Sequence, residues 1–204
     1  MLEIVKEEAK TKEEALENIL KKTNLTQDDF FLKSEFVEGK LFKSSKYIVS
    51  ALKKEDVKNF ITEYIENLSK LLNLDITSEI LNNNESFNIT LVSDNNAILI
   101  GKEGKNLNAI QTILRQAIKT EAGINLKISV DVGNYKLKKM KNIEIEVRKI
   151  AEEMEKSHLD VSLDPMNSYE RRLVHNIINE YSNLTTESFG EGKDRHVVIK
   201  YIEK

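Results

Sequence analysis

The alternation of apolar and polar positions divides the chain into short strands and amphipathic helices. Leu2–Ala9 reads as a strand, and Thr11 followed three residues later by Glu14 has the form of a capping box. Ala15, Leu16, Ile19 and Leu20 recur at helical spacing, which predicts a helix to about Thr23. Phe30–Val37 and Lys46–Leu52 read as strands, with Glu38-Gly39-Lys40 as the turn after the first. Residues 1–52 thus form a βαββ unit, small for a core of its own.

Lys53–Asp56 is a charged junction rather than a Gly/Ser linker. Val57, Phe60, Ile61, Tyr64, Ile65, Leu68, Leu71 and Leu72 then recur at three- and four-residue steps, one face of a helix. Strands are predicted near Leu74–Leu81 and Ser86–Val92, with an Asn82-Asn83-Asn84-Glu85 turn between them. A short apolar stretch, Ala97–Ile100, leads into Gly101-Lys102-Glu103-Gly104 and a second helix. Leu107, Ile110, Leu114, Ala117 and Ile118 mark its inward face, and Gly123 supplies its stop. Leu126–Val132 alternates as a third strand. This order, over residues 53–133, predicts helices packed on one face of a three-stranded sheet.

From residue 134 to 204 a third module begins with a long helical stripe, Leu137, Met140, Ile143, Val147, Ile150 and Met154. A short strand at Val161–Leu163 precedes Asp164-Pro165, and a helix is predicted from Ser168 to about Tyr181. Asn167 and Glu170 stand as its cap and capping-box partner. Two strands close the chain, Thr185–Ser188 and Arg195–Ile202, around Gly190-Glu191-Gly192. Val197, Ile199 and Tyr201 form the face of the last strand that should be buried. The fold class is α+β, built from three small α/β modules.

Composition narrows the function. The 204 residues contain no cysteine, which excludes disulfides, thiolate catalysis and Cys-based zinc sites. No run of 18 apolar residues occurs, and the start is too acidic for a signal peptide, so a cytoplasmic protein is expected. HExxH, Walker A and hydrolase-elbow patterns are absent, and Gly190-Glu-Gly-Lys193 is too short for a P-loop. His158 and His196 lack partners at metal-ligand spacing. Neither an enzyme nor a cofactor or metal is therefore expected. Aromatic content of 6% offers no exposed cluster of the kind an RRM or cold-shock surface needs.

Net charge is −3, yet its distribution is uneven. Between Gly101 and Lys119, Lys102, Lys105, Arg115 and Lys119 face the single acid Glu103. Between Gly133 and Lys149, Lys136, Lys138, Lys139, Lys141, Arg148 and Lys149 outnumber Glu144 and Glu146. Local positive fields on an acidic protein imply modest, salt-sensitive affinity for a polyanion.

Two constellations carry candidate chemistry. In Ile100-Gly-Lys-Glu-Gly-Lys-Asn-Leu107, glycines allow a phosphodiester to approach, the following helix directs N–H groups at it, and Lys102 and Lys105 add charge. GxxG alone is weak and also suits a tight helix–helix turn; its place between a short and a long helix strengthens it. Arg171 and His175, four apart on a capped helix, share one face that can donate to phosphate or sugar oxygens. Arg172, Lys193 and Arg195 can extend that face. A solvated helix face, or an arginine paired to Glu170 or Glu180, is the structural alternative.

Residues 55–132 resemble a type II KH domain, with Ile100–Leu107 as the most specific part. By that resemblance Gly101, Lys102, Glu103 and Gly104 contact phosphate, and Ile98, Leu107 and Ile110 wall an adjoining groove for about four nucleotides. The segment Pro165-Met-Asn-Ser-Tyr-Glu-Arg-Arg-Leu-Val-His175 resembles an R-three-H domain, a family associated with single-stranded nucleic acid. With the N-terminal βαββ unit, this order resembles the Jag/KhpB (SpoIIIJ-associated) family. The family's Lys-Lys-Gly-Phe-Leu-Gly-like N-terminal segment is reduced here to Gly39-Lys-Leu-Phe42.

The resemblance implies a bacterial, cytoplasmic RNA-binding regulator linked to cell shape and cell-wall synthesis. Its implied ligand is single-stranded RNA or, alternatively, single-stranded DNA, and its implied partner is a small KhpA-like KH protein. The rival expectation is a protein-interaction scaffold that dimerises through the KH fold, supported by the acidic N-terminal half and the Leu137–Met154 stripe.

Overall fold

A computed structural model describes residues 2–39, 44–83 and 86–203. Lys40, Leu41 and Phe42 of the first turn segment, and Asn84 and Glu85 of the second, lie outside the described residues. The chain forms two compact units, Met1–Gly133 and Asn134–Lys204.

The first unit begins with β1 (Ile4–Ala9), α1 (Lys12–Thr23), β2 (Phe30–Val37) and β3 (Lys46–Lys53). Thr11 Oγ1 accepts the Glu14 N–H at 3.2 Å, so the predicted N-cap opens α1. Asn24, left-handed at φ 54°, ends it. The strands form an antiparallel sheet in the order β1-β3-β2. Ala15 and Ile19 of α1 pack with Phe30, Val49 and Ala51 on one face. On the other, Phe31 meets Phe87 of the next sheet, ring centroids 5.6 Å apart.

No linker follows. β3 runs directly into α2 (Lys54–Leu72), then β4 (Ile76–Asn83), β5 (Ser86–Ser93), α3 (Asn96–Ile100), α4 (Lys105–Ala122) and β6 (Lys127–Val132). β4 pairs antiparallel with β5, and β5 pairs parallel with β6, Ser86 opposite Lys127. A parallel pair requires a crossover, and α3, the glycine loop and α4 supply it. Val57, Ile61 and Ile65 of α2 and Leu107, Leu114 and Ile118 of α4 join Phe87, Ile89, Leu91, Ile128, Val130 and Val132 in the core. Each such side chain contributes about 1.5–3 kcal/mol by leaving water.

The second unit comprises α5 (Tyr135–Ser157), β7 (Val161–Ser162), α6 (Ser168–Ile178), β8 (Leu184–Phe189) and β9 (His196–Tyr201). Its sheet is antiparallel in the order β7-β9-β8. Val147, Ala151 and Met154 of α5 pack with Val174, Ile177 and Ile178 of α6 and with Leu184, Val197 and Ile199 of the sheet. The helix expected to reach Tyr181 ends at Ile178. Beyond it Glu180 and Tyr181 donate to Ile177 and Ile178, a tightening to three-residue bonds that closes the last turn. Among the described residues no helix is long and apolar enough to cross a membrane.

Candidate nucleic-acid interface

The glycine loop is shaped by three unusual backbone conformations and one side chain. The Gly101 N–H donates to Ala97 at 2.8 Å and closes α3, after which Gly101 adopts φ 68°, ψ 178°. That region is essentially reserved for glycine. Glu103 follows at φ 56° and Gly104 at φ 83°, both left-handed. The exposed Asn106 side chain crosses from α4 to α3 beside the loop. Its Nδ2 donates to the Ile98 carbonyl at 2.8 Å, and a Cβ on Gly101 would fall 2.6 Å from its Cγ. Gly101 is therefore needed for its backbone angles, and any larger residue would also displace the exposed Asn106 side chain from the Ile98 carbonyl.

α4 starts behind this loop with neither a side-chain cap nor an acid in its first turn. Its N-terminal N–H groups and dipole thus remain directed at the loop, the arrangement that suits an anion. Lys102 and Lys105 are exposed beside it, as is Glu103, while Gly104 is buried. Farther along α4, Gln111 and Arg115 reach the outer edge of β6. The Val130 N–H donates to Gln111 Oε1 at 3.0 Å, and Arg115 Nη2 donates to the Ile128 carbonyl at 3.2 Å. The Val132 N–H is taken by the Asp131 carboxylate at 2.9 Å.

In the second unit, the Asn167 side chain accepts the Tyr169 and Glu170 N–H groups, and Glu170 accepts the Asn167 N–H at 2.9 Å. This capping box holds a carboxylate only 3% exposed, whose other oxygen pairs with Lys139 Nζ at 2.7 Å. Glu180 pairs with Arg148, which also bonds Glu144. The two carboxylates that could have neutralised Arg171 are therefore occupied by cations of α5. Arg171 instead donates from Nη1 to the Met166 carbonyl at 3.0 Å. His175 lies over β8, with Nδ1 on Thr186 Oγ1 and Nε2 3.3 Å from Ser188 Oγ. Burial, and then the charge of Arg171, hold its pKa below the ordinary imidazole value.

Two family models match these units: that of the KhpA/KhpB KH domain over residues 58–132, and that of the R-three-H domain over 141–201. The RNA-binding protein KhpB of Clostridium symbiosum is 31% identical, over 97% of this chain and 91% of that protein. The chain belongs to the KhpB (Jag) family. The RNA-binding protein KhpB of Bacillus subtilis is 29% identical over 93% of this chain and 94% of that relative. KhpB of Streptococcus pneumoniae is 22% identical over 71% of this chain, and there the match spans 44% of the relative.

Against this KhpB framework the sequence-predicted residues separate. Gly101 to Gly104 form one loop, Lys105 opens α4 directly after it, and Ile98, 44% exposed, stands beside it. Ile110 is half-buried. Leu107 is only 2% exposed: it belongs to the core stripe with Leu114 and Ile118 and offers no groove wall. Arg171 and His175 share a face, Arg172 is exposed on the same helix, and Lys193 and Arg195 are exposed near the start of β9. The positive run on α5 is weaker than its residue count implies, because Lys139, Arg148 and Lys149 meet Glu170, Glu180 and Glu153. Asn106 and Gln111 were not singled out, nor was the pairing of Glu170, expected only as the capping-box partner, with Lys139; these partners are backbone atoms or lie far along the chain, where no spacing marks them.

Proposed function

We propose that this chain is a non-enzymatic RNA-binding regulatory protein that holds single-stranded RNA at two places, the Gly101–Gly104 loop and the Arg171–His175 face. The observation that carries the reading is the N-terminus of α4, uncapped and free of acids in its first turn, opening on a glycine loop flanked by Lys102 and Lys105. A phosphate there meets backbone donors, a favourable dipole and two cations. Arg115 lies ten residues along α4 from Lys105, about 15 Å away, which gives the strand a second basic contact on the same helix. Support for RNA in particular comes from the relatives, each named an RNA-binding protein.

Replacing Lys102 and Glu103 together by Asp should sharply weaken binding of labelled single-stranded RNA at moderate salt. Unchanged affinity with an intact fold would remove the loop from the interface. Arg171→Ala with His175→Ala should lower affinity and flatten the slope of log affinity against log salt by about one unit for the lost cation. An unaltered slope would make that face structural. Single-stranded DNA of the same sequence tests the alternative ligand.

A cytoplasmic setting belongs to the same proposal, because it is where the RNA is. A small KhpA-like KH protein is the proposed partner, since one family model describes the KH domains of both. Co-purification with and without ribonuclease tests it. The scaffold reading loses one of its supports: from Ile143 onward the α5 stripe is used by the core of its own unit. Light scattering with and without RNA separates the two, a dimer indifferent to RNA favouring the scaffold.

A further inference from the structure

The open face of the β7-β9-β8 sheet carries a side-chain cluster that neither proposed RNA contact uses. Along a strand, alternate side chains point to opposite faces. In β8, Leu184, Thr186 and Ser188 are the more buried set, and Thr185, Glu187 and Phe189 the exposed one. Cross-strand register sets Phe189 opposite His196 and Thr185 opposite Lys200. The Phe189 and His196 ring planes are within 29° of parallel, with centroids 6.4 Å apart. Lys200 Nζ stands 5.1 Å from the Phe189 ring centroid, and 38% of Phe189 remains exposed.

The cluster is held in place. His196 Nδ1 donates to the Asp194 carbonyl at 2.9 Å, which fixes the ring and leaves Nε2 as the acceptor of the neutral form. Asp194 donates back to Glu191 at 3.1 Å, and a Cβ on Gly190 would fall 2.5 Å from the Asp194 oxygen. The hairpin end is therefore a tight turn that admits only glycine at residue 190.

Its position matters as much as its composition. Ser188, which His175 Nε2 touches, is the chain neighbour of Phe189. Arg171 donates to the Met166 carbonyl, and the Met166 N–H donates to the Arg195 carbonyl at 3.0 Å, next to His196. Arg171 and His175 thus adjoin the hairpin end that carries the two rings. β8 is an edge strand, so a ligand can pass from one face to the other there.

We propose that Phe189 and His196 form a stacking platform for one unstacked base of a single-stranded nucleic acid whose phosphates are held at Arg171 and His175. The inference rests on the functional reading above and names a subsite for it. An exposed aromatic ring accepts any base through its π-face, and a lysine beside it can turn from the ring to the nucleotide's phosphate. The surroundings favour a nucleotide over an apolar protein anchor: His196 and Lys200 flank the exposed ring, and the turn between β8 and β9 carries Lys193 and Arg195 beside the acids Glu191 and Asp194. Glu187 is paired with Lys200.

The test uses the full chain and a labelled single-stranded RNA, with affinity measured over a salt series. Phe189→Leu should lower affinity about five- to tenfold, toward the low end of base–aromatic stacking, and leave the salt slope unchanged because no charge is lost. Phe189→Tyr keeps a ring and should bind like the parent. His196→Leu should repeat the loss, and it decides the matter where Phe189→Leu fails to fold. Parent affinity in both leucine variants, or an equal fall in Phe189→Tyr, overturns the platform. Failure of the parent chain itself to bind RNA would instead sink the functional reading on which the platform rests.

Discussion

Gly101→Ala separates the two reasons for a glycine in the loop. At φ 68°, ψ 178°, an L side chain costs about 1–3 kcal/mol through the backbone alone. The new Cβ would also lie 2.6 Å from Asn106 Cγ, so Asn106 must rotate away from the Ile98 carbonyl. That forfeits a hydrogen bond with a net value of about 1 kcal/mol. The sum is a destabilisation of about 2–4 kcal/mol. Gly123→Ala is the control: its φ is 62°, but nothing lies within 4 Å of the added Cβ. It should cost only the left-handed penalty, about 1–2 kcal/mol. Asn106→Ala alone should cost about 1 kcal/mol, the same bond that Gly101→Ala has already broken. The double variant should therefore fall short of additivity by about 1 kcal/mol. Urea denaturation with m-values compared across the parent and the four variants measures these differences. A strictly additive double variant, or a Gly101→Ala no costlier than Gly123→Ala, would refute the role given to Asn106.

Three further outcomes follow from the geometry. Glu103→Asn retains a residue that tolerates φ near 56° while removing the loop's acid, so RNA affinity should rise a few-fold, most at low salt; filter binding checks it. Lys139→Met strands a carboxylate that is only 3% exposed, so it should cost about 3 kcal/mol, whereas Glu170→Gln keeps the cap and should cost less; thermal melts giving the reverse order would contradict the buried pair. His175 has a depressed folded-state pKa, so its neutral form is favoured in the fold. Its stabilising contribution is complete above its ordinary value of 6.5 and is lost as pH falls from there through the folded-state pKa, and removing it in His175→Gln should flatten that part of a stability–pH curve.

Much of the fold was legible because local signals agreed. Thr11 and Asn167 cap the helices their side chains promised, and Gly123 ends α4. Phe30–Val37 was a strand by pattern and is β2 to the residue. Strand order was not legible: nothing local places β3 between β1 and β2, or makes β5 and β6 parallel, since both arise from long-range pairing. The candidate site divides in the same way. The glycines announced the loop, but Leu107 shares a period with Leu114 and Ile118, and periodicity cannot tell a core stripe from a groove wall. His175 was marked by its distance from Arg171, yet its hydroxyl partners lie 11 and 13 residues downstream, where sequence spacing gave no sign of them.

The outer edge of β6 has a consequence for assembly. An exposed strand edge is a template on which another chain can add a strand, with aggregation as the usual hazard. Here Gln111, Arg115 and Asp131 occupy Val130, Ile128 and Val132 along that edge. A second KH sheet could extend this one there only by first breaking those bonds. The margin that remains for continuous sheet growth is β4, which among the described residues pairs only with β5. Any KH–KH association that leaves Gln111 and Arg115 in place can extend the sheet only at β4, or must use a sheet or helix face instead, and the sheet end beside α4 stays closed to polymerisation.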